Sequence, residues 1–281
     1  MRLFVENLNN VDISYLDAKR GLVGESWIAG LMLSGNLDGQ SMICDFGVVK
    51  RNAKNWLDEF IDHRLVVPTQ MPGLHINHHE NLVTVRYPHP LGGEFICSGP
   101  EQAFCFIDCN EICATTVEPW LEEQLTGTIP GDIDSLKVSL NSELIGGDYY
   151  HYSHGLKKHD GNCQRIAHGH RSKIEIFIDG ARQPVLEKSW AKKWKDIYVG
   201  TEEDLHNTTT IEGIEHKHYR YTAPQGEFSL TLPSAACYDI ETDTTVEQIA
   251  NHIAKVLLEA GHSVTVKAFE GVGKGAIATY E

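Results

Sequence analysis

The chain repeats itself, and this repeat constrains the fold more than any other feature of the sequence. Thr115-Thr116-Val117-Glu118 recurs as Thr244-Thr245-Val246-Glu247, and each copy precedes a helix-like apolar run. A strand-like pair lies upstream of each copy: Arg86-Tyr87 with Gly93-Glu94-Phe95 in the first half, and Arg220-Tyr221 with Gly226-Glu227-Phe228 in the second. We therefore predict a fused pair of similar domains, residues 1–146 and 147–281, joined near Gly146-Gly147.

Each half has the pattern of an α+β domain. Ile174, Ile176 and Ile178 alternate with polar residues, which predicts a strand with one buried face. In the first half, Asp45 is a plausible N-cap before an apolar stripe at helical spacing (Phe46, Val49, Ala53, Trp56, Leu57, Phe60). Thr244 and Glu247 have the spacing of a capping box. We expect an antiparallel sheet in each half, with helices packed on one face.

Three histidines and a cysteine lie close together in the second half. His168 and His170 are two residues apart, so on a strand they point to the same side, and His154 can join them from the preceding strand. Three neutral imidazoles leave one tetrahedral position open, which is typical of a catalytic zinc site. With 15 histidines in 281 residues, a His-x-His pair also occurs by chance, as His216-Lys217-His218 shows.

Charge and composition exclude other classes of protein. The formal net charge is −15 and no Lys/Arg-rich run offsets it, which argues against binding to nucleic acid through phosphates. The N-terminal residues lack the apolar core of a signal peptide, and no run is long enough to span a membrane, so we expect a cytoplasmic protein. Seven cysteines without paired spacing favour reduced thiols. Lys157, Lys158, Arg165 and Arg171 surround the histidines, where they could attract a small anionic substrate or form an ordinary solvated loop.

The second half resembles the 6-pyruvoyl-tetrahydropterin synthase and 6-carboxytetrahydropterin synthase family. The resemblance rests on Tyr150-His151-Tyr152-Ser153-His154, on Cys163 followed by His168-Gly169-His170, on the helix start at Thr244 to Glu247, and on Glu270 in a late strand. It implies the tunnelling fold, here as two tandem domains, and a homo-oligomer, because sheets of this fold close into barrels by association.

The resemblance also implies roles for these residues. His154, His168 and His170 would bind Zn²⁺, and Cys163 would be the catalytic base. The family's Asp-His pair occurs in the first half as Asp62-His63, whereas the first half has Val23-Gly24-Glu25 in place of the His-Gly-His motif. Each half keeps what the other lacks, so we predict one composite site. The alternative is that the first half is only a structural partner.

A pterin triphosphate is the substrate that the resemblance implies. Glu270 would anchor the pterin ring, with Glu143 as the alternative, and Thr244 would contribute to substrate binding. We expect conversion of 7,8-dihydroneopterin triphosphate to 6-carboxy-5,6,7,8-tetrahydropterin with release of triphosphate and acetaldehyde, a step toward queuosine. The alternatives are the 6-pyruvoyl product, a zinc- or pterin-binding relative without turnover, and an unrelated metal hydrolase.

Overall fold

The first half of the chain is built from two long strands, two helices and shorter strands. A computed structural model describes residues 1–131 and 133–281. The elements of the first half are β1 (Arg2–Asp17), β2 (Gly21–Gly35), α1 (Phe46–Phe60), β3 (Leu65–Pro68), β4 (His75–His79), β5 (Leu82–Pro88), β6 (Glu94–Pro100), β7 (Phe104–Ile107), α2 (Ala114–Leu125) and β8 (Ile133–Ser142).

The second half repeats this order of elements and adds two strands. Its elements are β9 (Tyr149–His154), β10 (His168–Ile178), β11 (Ala181–Arg182), α3 (Pro184–Lys193), β12 (Ile197–Thr201), β13 (Leu205–Ile211), β14 (Ile214–Ala223), β15 (Gly226–Pro233), β16 (Cys237–Ile240), α4 (Val246–Leu257), β17 (Val264–Phe269) and β18 (Gly275–Tyr280). Each half has two helices among its strands, in the same order along the chain, which confirms the α+β fold class.

Each half has its own sheet. The first sheet has the order β7-β3-β1-β2-β8, and the second has the order β16-β12-β9-β10-β17-β18, with β11 beside β10. The central pairs β1–β2 and β9–β10 are antiparallel, as predicted. The outer strands differ, because β3 and β7 continue the first sheet in parallel, as do β12 and β16 in the second. A helix separates β2 from β3 and β10 from β12. This crossover lets β3 run parallel to β1, and β12 parallel to β9.

The two halves share a third sheet, in the order β13-β14-β15-β6-β5-β4. Its central contact pairs β15 of the second half with β6 of the first. The repeated sequence pairs occupy equivalent positions in it, because Tyr87 lies opposite Phe95 and Tyr221 lies opposite Phe228. The internal repeat in the sequence is therefore also a repeat in the structure.

Three apolar clusters fill the molecule. One lies between the first sheet and helices α1 and α2, and another lies between the second sheet and helices α3 and α4. The third lies under the shared sheet and takes side chains from both halves, including Phe95 and Phe228. Helices therefore cover one face of each half's own sheet, as the sequence predicted.

The two sheets approach each other closely where β1 and β2 meet β9 and β10. The hydroxyl oxygens of Ser14 and Ser153 are 2.6 Å apart. A Cβ atom at Gly24 would lie 1.9 Å from the carbonyl oxygen of Tyr152, and one at Gly169 would lie 2.4 Å from the same atom. Glycine is required at both positions because backbone occupies the space of a side chain.

The helix starts agree with the sequence in one half and differ in the other. Asp45 caps α1, accepting a hydrogen bond from the backbone N–H of Val48 at 3.0 Å, as predicted. The N-cap of α4 is Thr245 and not Thr244, so the predicted capping box is wrong by one residue. The apolar stripe of α1 is narrower than predicted, because Phe46 and Phe60 are exposed.

Within the described residues, no helix is long and apolar enough to cross a lipid bilayer.

Candidate metal centre

Three buried histidines lie together on the central strand pair of the second sheet. His168 lies directly opposite His154 in the antiparallel pair β9–β10, and His170 follows on the same side of β10. All three side chains are at most 1% exposed. Their potential ligand nitrogens lie within 4.8 Å of one another, so the strand pairing alone brings the predicted triad together.

The Nδ1 atoms of two of these rings are held by backbone oxygens. His154 Nδ1 lies 2.9 Å from the carbonyl oxygen of Thr244 and 3.1 Å from its hydroxyl, and His168 Nδ1 lies 2.9 Å from the carbonyl oxygen of Arg165. A carbonyl can only accept, so each of these Nδ1 atoms carries the proton and leaves the Nε2 lone pair free. Burial, with the neighbouring histidine charges, lowers the pKa of His154 to about 3 and that of His168 far below its usual value, so both rings are neutral.

The free nitrogens fit a metal ion. The Nε2 atoms of His154, His168 and His170 are buried and have no hydrogen-bond partner. A buried nitrogen without a partner costs about 1–3 kcal/mol, so three together need a common ligand. Neutral imidazoles with Nδ1 held by a second group are the usual ligand arrangement of zinc and similar transition metals.

The predicted base and acid lie beside this triad and come from different halves. Cys163 is in the loop 155–167 of the second half, and His63 is in the turn after α1 of the first. The Cys163 sulfur and the ligand nitrogens of His63 and His168 lie within 4.8 Å of one another. The structure thus brings the first half's Asp-His pair to the second half's histidines.

Asp62 orients His63. His63 Nδ1 donates to Asp62 Oδ2 at 2.5 Å, and the other carboxylate oxygen accepts from the backbone N–H of Asp12 at 2.8 Å. Burial by itself lowers the pKa of His63, but hydrogen bonds to Asp62 and Cys163 outweigh it and raise this pKa well above its usual value. His63 adopts a left-handed backbone conformation with φ of 54°, an uncommon geometry for a residue other than glycine.

The two candidate anchoring glutamates are in different surroundings. Glu270 Oε1 lies 4.0 Å from His170 Nε2, and Oε2 lies 3.4 Å from Lys274 Nζ. Burial alone raises the pKa of Glu270, but the charges of His170 and Lys274 lower it overall, so the group is a carboxylate. Glu143 instead binds Lys173, whose side chain points to the opposite side of β10 from the histidines. Glu270 is therefore the glutamate beside the triad.

Thr244 and the nearby cations have local partners. Thr244 is fully buried behind His154, and its role in substrate binding stays a prediction. Lys157 and Lys158 pair with Asp204 and Asp243, so their charges are largely neutralised.

Arg165 is the cation beside the Asp-His pair. It is 3% exposed and its Nη1 donates to the carbonyl oxygens of Asp62 and His63 at 3.4 Å each. Burial, with the charge of Arg64, lowers the pKa of Arg165 to about 10, so it is charged at neutral pH.

The sequence did not indicate Asp12. This carboxylate of β1 is 2% exposed and reaches the triad from the first half, with Oδ1 3.2 Å from His170 Nδ1. It belongs to no motif, so only the packing of the two halves reveals it.

An open groove lies elsewhere on the molecule. Its volume is about 730 Å³, and it runs between the β4–β5 turn of the first half and the β14–β15 turn of the second, past His78, Glu101 and Gln225. It contains none of the histidines of the triad. We assign the chemistry to the triad because buried nitrogens without partners are a stronger sign of a site than volume alone.

Residues 147–281 match the family model described as 6-pyruvoyl tetrahydropterin synthase. The matched residues form the second half of the chain. Similar solved structures include 6-pyruvoyltetrahydropterin synthase from Plasmodium vivax, which is 19% identical over 50% of this chain and 90% of that chain, with a TM-score of 0.42. The enzyme from Plasmodium falciparum is 16% identical with the same coverage and TM-score. No curated protein matches the chain.

The family match divides the site between matched and unmatched residues. The histidine triad, Cys163 and Glu270 lie inside residues 147–281, whereas Asp12 and the Asp62-His63 pair lie outside. The first half therefore supplies side chains at the centre of the site without matching the family model itself.

Proposed function

We propose that the protein is a zinc-dependent lyase that converts 7,8-dihydroneopterin triphosphate and one water molecule to 6-carboxy-5,6,7,8-tetrahydropterin, triphosphate and acetaldehyde. This reaction belongs to 7-deazaguanine and queuosine biosynthesis. The observation that carries the proposal is the convergence of three unpartnered imidazole nitrogens with a Cys163–His63–Asp62 group. In this proposal the chain has two domains, residues 1–146 and 147–281, and both contribute side chains to one site.

His154, His168 and His170 would hold the zinc ion through Nε2. When bound, zinc supplies an electrophile that polarises the vicinal hydroxyl groups of the substrate side chain and makes the adjacent carbon–hydrogen bonds more acidic. The residues around it then need only to place and move protons.

Cys163 and His63 are the groups placed to move those protons. Cys163 takes the proton from the carbon of the side chain, and His63 holds or returns it at Nε2. Asp62 keeps the Nδ1 proton of His63 in place and stabilises the imidazolium. An acid and a base within 4.8 Å of each other are suited to moving a proton between neighbouring atoms of one substrate.

Glu270 would fix the pterin ring. An ionised carboxylate accepts two parallel hydrogen bonds from the amino-pyrimidinone edge of a pterin, which orients the ring and its side chain. Lys274 and the nearby His170 keep Glu270 ionised. Glu143, bound to Lys173, is the less favoured anchor.

The 6-pyruvoyl product is the second candidate. It requires the same proton transfers without cleavage of the side chain, and the matching family model carries the name of that enzyme. A relative that binds zinc and pterin without turnover is the third candidate, and for it Asp62 and His63 would be dispensable.

The decisive experiment is incubation of the zinc-loaded full chain with 7,8-dihydroneopterin triphosphate, with triphosphate, acetaldehyde and pterins followed by chromatography and mass spectrometry. Cys163→Ala and His63→Ala should abolish turnover. Cys44→Ala is the matched control, because Cys44 is a half-buried thiol in the first half, away from the histidines.

Each outcome separates the candidates. Acetaldehyde with a 6-carboxy product, absent in both variants, supports the proposed lyase and the composite site. A 6-pyruvoyl product assigns the sister activity. Bound zinc and bound pterin with unchanged substrate leave the non-catalytic relative.

We also propose that the chain forms a homo-oligomer. β8 pairs with β2, and β18 pairs with β17, and within the described residues neither β8 nor β18 has a second neighbour. Such open edges favour pairing with another copy. Light scattering after size-exclusion chromatography tests this proposal, and a mass of one 31.4 kDa chain would contradict it.

A further inference from the structure

The third histidine of the triad differs from the other two in what faces its Nδ1 atom. His154 and His168 are held by backbone carbonyls of their own half. The acceptor near His170 Nδ1 is the side chain of Asp12, which comes from the other half, at 3.2 Å. Neither nitrogen of His170 makes a hydrogen bond within its own half. The His170 ring is therefore not held by its own half, and Asp12 Oδ1 is the carboxylate oxygen next to its Nδ1.

Asp12 is prepared for this role by its surroundings. Its Oδ1 accepts a hydrogen bond from the hydroxyl of Ser26, and its Oδ2 lies 3.5 Å from Lys274 Nζ. The group is thus a fixed, buried carboxylate.

We propose that Asp12 is a positioning residue that orients His170 for the metal, so that the first half sets the metal affinity of the second. The inference rests on the proposed metal centre. A carboxylate behind a ligand histidine fixes the tautomer and makes the ligand nitrogen more basic, and its loss commonly lowers metal affinity about 10–100-fold.

The backbone of Asp12 contacts the Asp62-His63 pair of the proposed proton relay. Its N–H donates to Asp62 Oδ1 at 2.8 Å, and its carbonyl oxygen accepts from the N–H of His63 at 2.7 Å. The side chain of Asp12 faces the metal centre and its backbone holds the Asp-His pair. Substitution of the Asp12 side chain therefore removes the contact with His170 and leaves both backbone contacts with Asp62 and His63 available.

The loop after β17 is built around the same carboxylate. Gly271 has φ of +67°, and a Cβ atom there would lie 2.5 Å from Asp12 Oδ1. The backbone N–H of Gly271 donates to Ser172 at 3.0 Å, which fixes the loop next to Glu270. The second half thus leaves space for a carboxylate from the first half.

Asp12 could instead only hold the two halves together, through Ser26 and Lys274. The test must therefore measure something that a purely structural role leaves unchanged. We choose the zinc dissociation constant, measured by chelator competition, and the visible spectrum of the Co²⁺-substituted protein, because both report on the ligand histidines directly.

The experiment compares Asp12→Ala, Asp12→Asn and Glu25→Gln in the full chain. Asp12→Ala should weaken zinc binding about 100-fold, and Asp12→Asn, which keeps an acceptor for His170, about 10-fold. The Co²⁺ spectrum should shift in the same order. Glu25→Gln is the control, because Glu25 is a buried carboxylate at the same contact between the halves, 8% exposed, but lies outside the triad. Its zinc affinity should equal that of the unmodified chain.

Two results would overturn the inference. One is wild-type zinc affinity and spectrum in folded Asp12→Asn, the variant that decides the matter if Asp12→Ala does not fold. The other is an equal loss of affinity in Glu25→Gln. The variants could show the expected order of zinc affinities while the unmodified chain turns over no pterin. That result refutes the proposed lyase and leaves the role of Asp12 standing.

Discussion

The metal centre has a counterpart in the first half that cannot hold a metal in the same way. Ser14 lies opposite Gly24 in β1–β2, as Ser153 lies opposite Gly169 in β9–β10. These pairs meet at the contact between the halves and relate the two sites to each other. The positions of His154, His168 and His170 correspond to those of Tyr15, Val23 and Glu25.

Internal partners close the counterpart site. Asp196 occupies the position of His63, with the same left-handed backbone (φ of 56° against 54°), and forms an ion pair with Arg20. Arg20 also donates to the hydroxyl of Tyr15 at 3.2 Å. His151, at the position of Asp12, lies 2.6 Å from the carbonyl oxygen of Gly24. In the counterpart site the cation is the side chain of Arg20, whereas the Nε2 atoms of the three histidines have no partner.

The loops differ as much as the side chains. Residues 18–20 join β1 to β2 in a tight turn, whereas residues 155–167 join β9 to β10 and carry Cys163 and Arg165. The same framework thus carries a cluster of three buried histidines in one half and an ion pair in the other, according to a few side chains and one loop.

Replacing one proposed metal ligand should give the largest difference between the two sites, measured as zinc affinity. The binding free energy of a zinc site, about 10–16 kcal/mol, is shared among its ligands, so His168→Ala should weaken zinc binding about 1000-fold. Val23→Ala changes the equivalent residue of the first half and should leave zinc binding unchanged. Metal analysis after dialysis measures both variants, and equal zinc contents would refute the distinction.

The Asp-His pair should matter for turnover and not for zinc. His63→Ala should lower kcat about 100- to 10,000-fold, while zinc content stays at the wild-type value. Asp196→Ala, at the equivalent position, should keep its kcat in the folded protein. Steady-state kinetics test this pair, and a wild-type kcat in His63→Ala would mean that the Asp62-His63 pair is only structural.

Glu25 should make the stability of the protein depend on pH. Burial raises the pKa of Glu25 to about 7, from 4.5, so the folded state binds this proton more tightly than the unfolded chain does. Its stabilising contribution is complete below about pH 4.5 and is lost as the pH rises to about 7.

Glu25→Gln removes this titration. The variant should gain up to about 3 kcal/mol relative to wild type between pH 4 and pH 8. Urea denaturation at several pH values measures the difference, and a constant offset would show that Glu25 is not the titrating group.

The Arg20–Asp196 pair should contribute the smallest effect. Asp196→Asn should cost about 1–2 kcal/mol, since the pair is half-buried and hydrogen-bonded. Asp243→Asn, which breaks an exposed pair with Lys158, should not change the unfolding midpoint measurably. Equal effects in the two variants would contradict the structural role of the counterpart site.

Local patterns were sufficient to find many of these features. Residues two apart on a strand share a side, so His168 and His170 were recognisable as a pair, and Asp45 was recognisable as a cap. The shift from Thr244 to Thr245 and the exposed Phe46 and Phe60 show the limit of such patterns, because either threonine can cap a helix and packing decides which face is buried.

The sequence by itself determined the repeat, the α+β class and the clustering of His154, His168 and His170, because each depends on periodicity or on short spacing along the chain. Tertiary structure decided how the halves meet. Only there do Asp12 and Asp62-His63 reach the triad, and only there does Arg20 close the counterpart site. These contacts join residues far apart in the chain, and their partners depend on how two sheets pack, which no local pattern records.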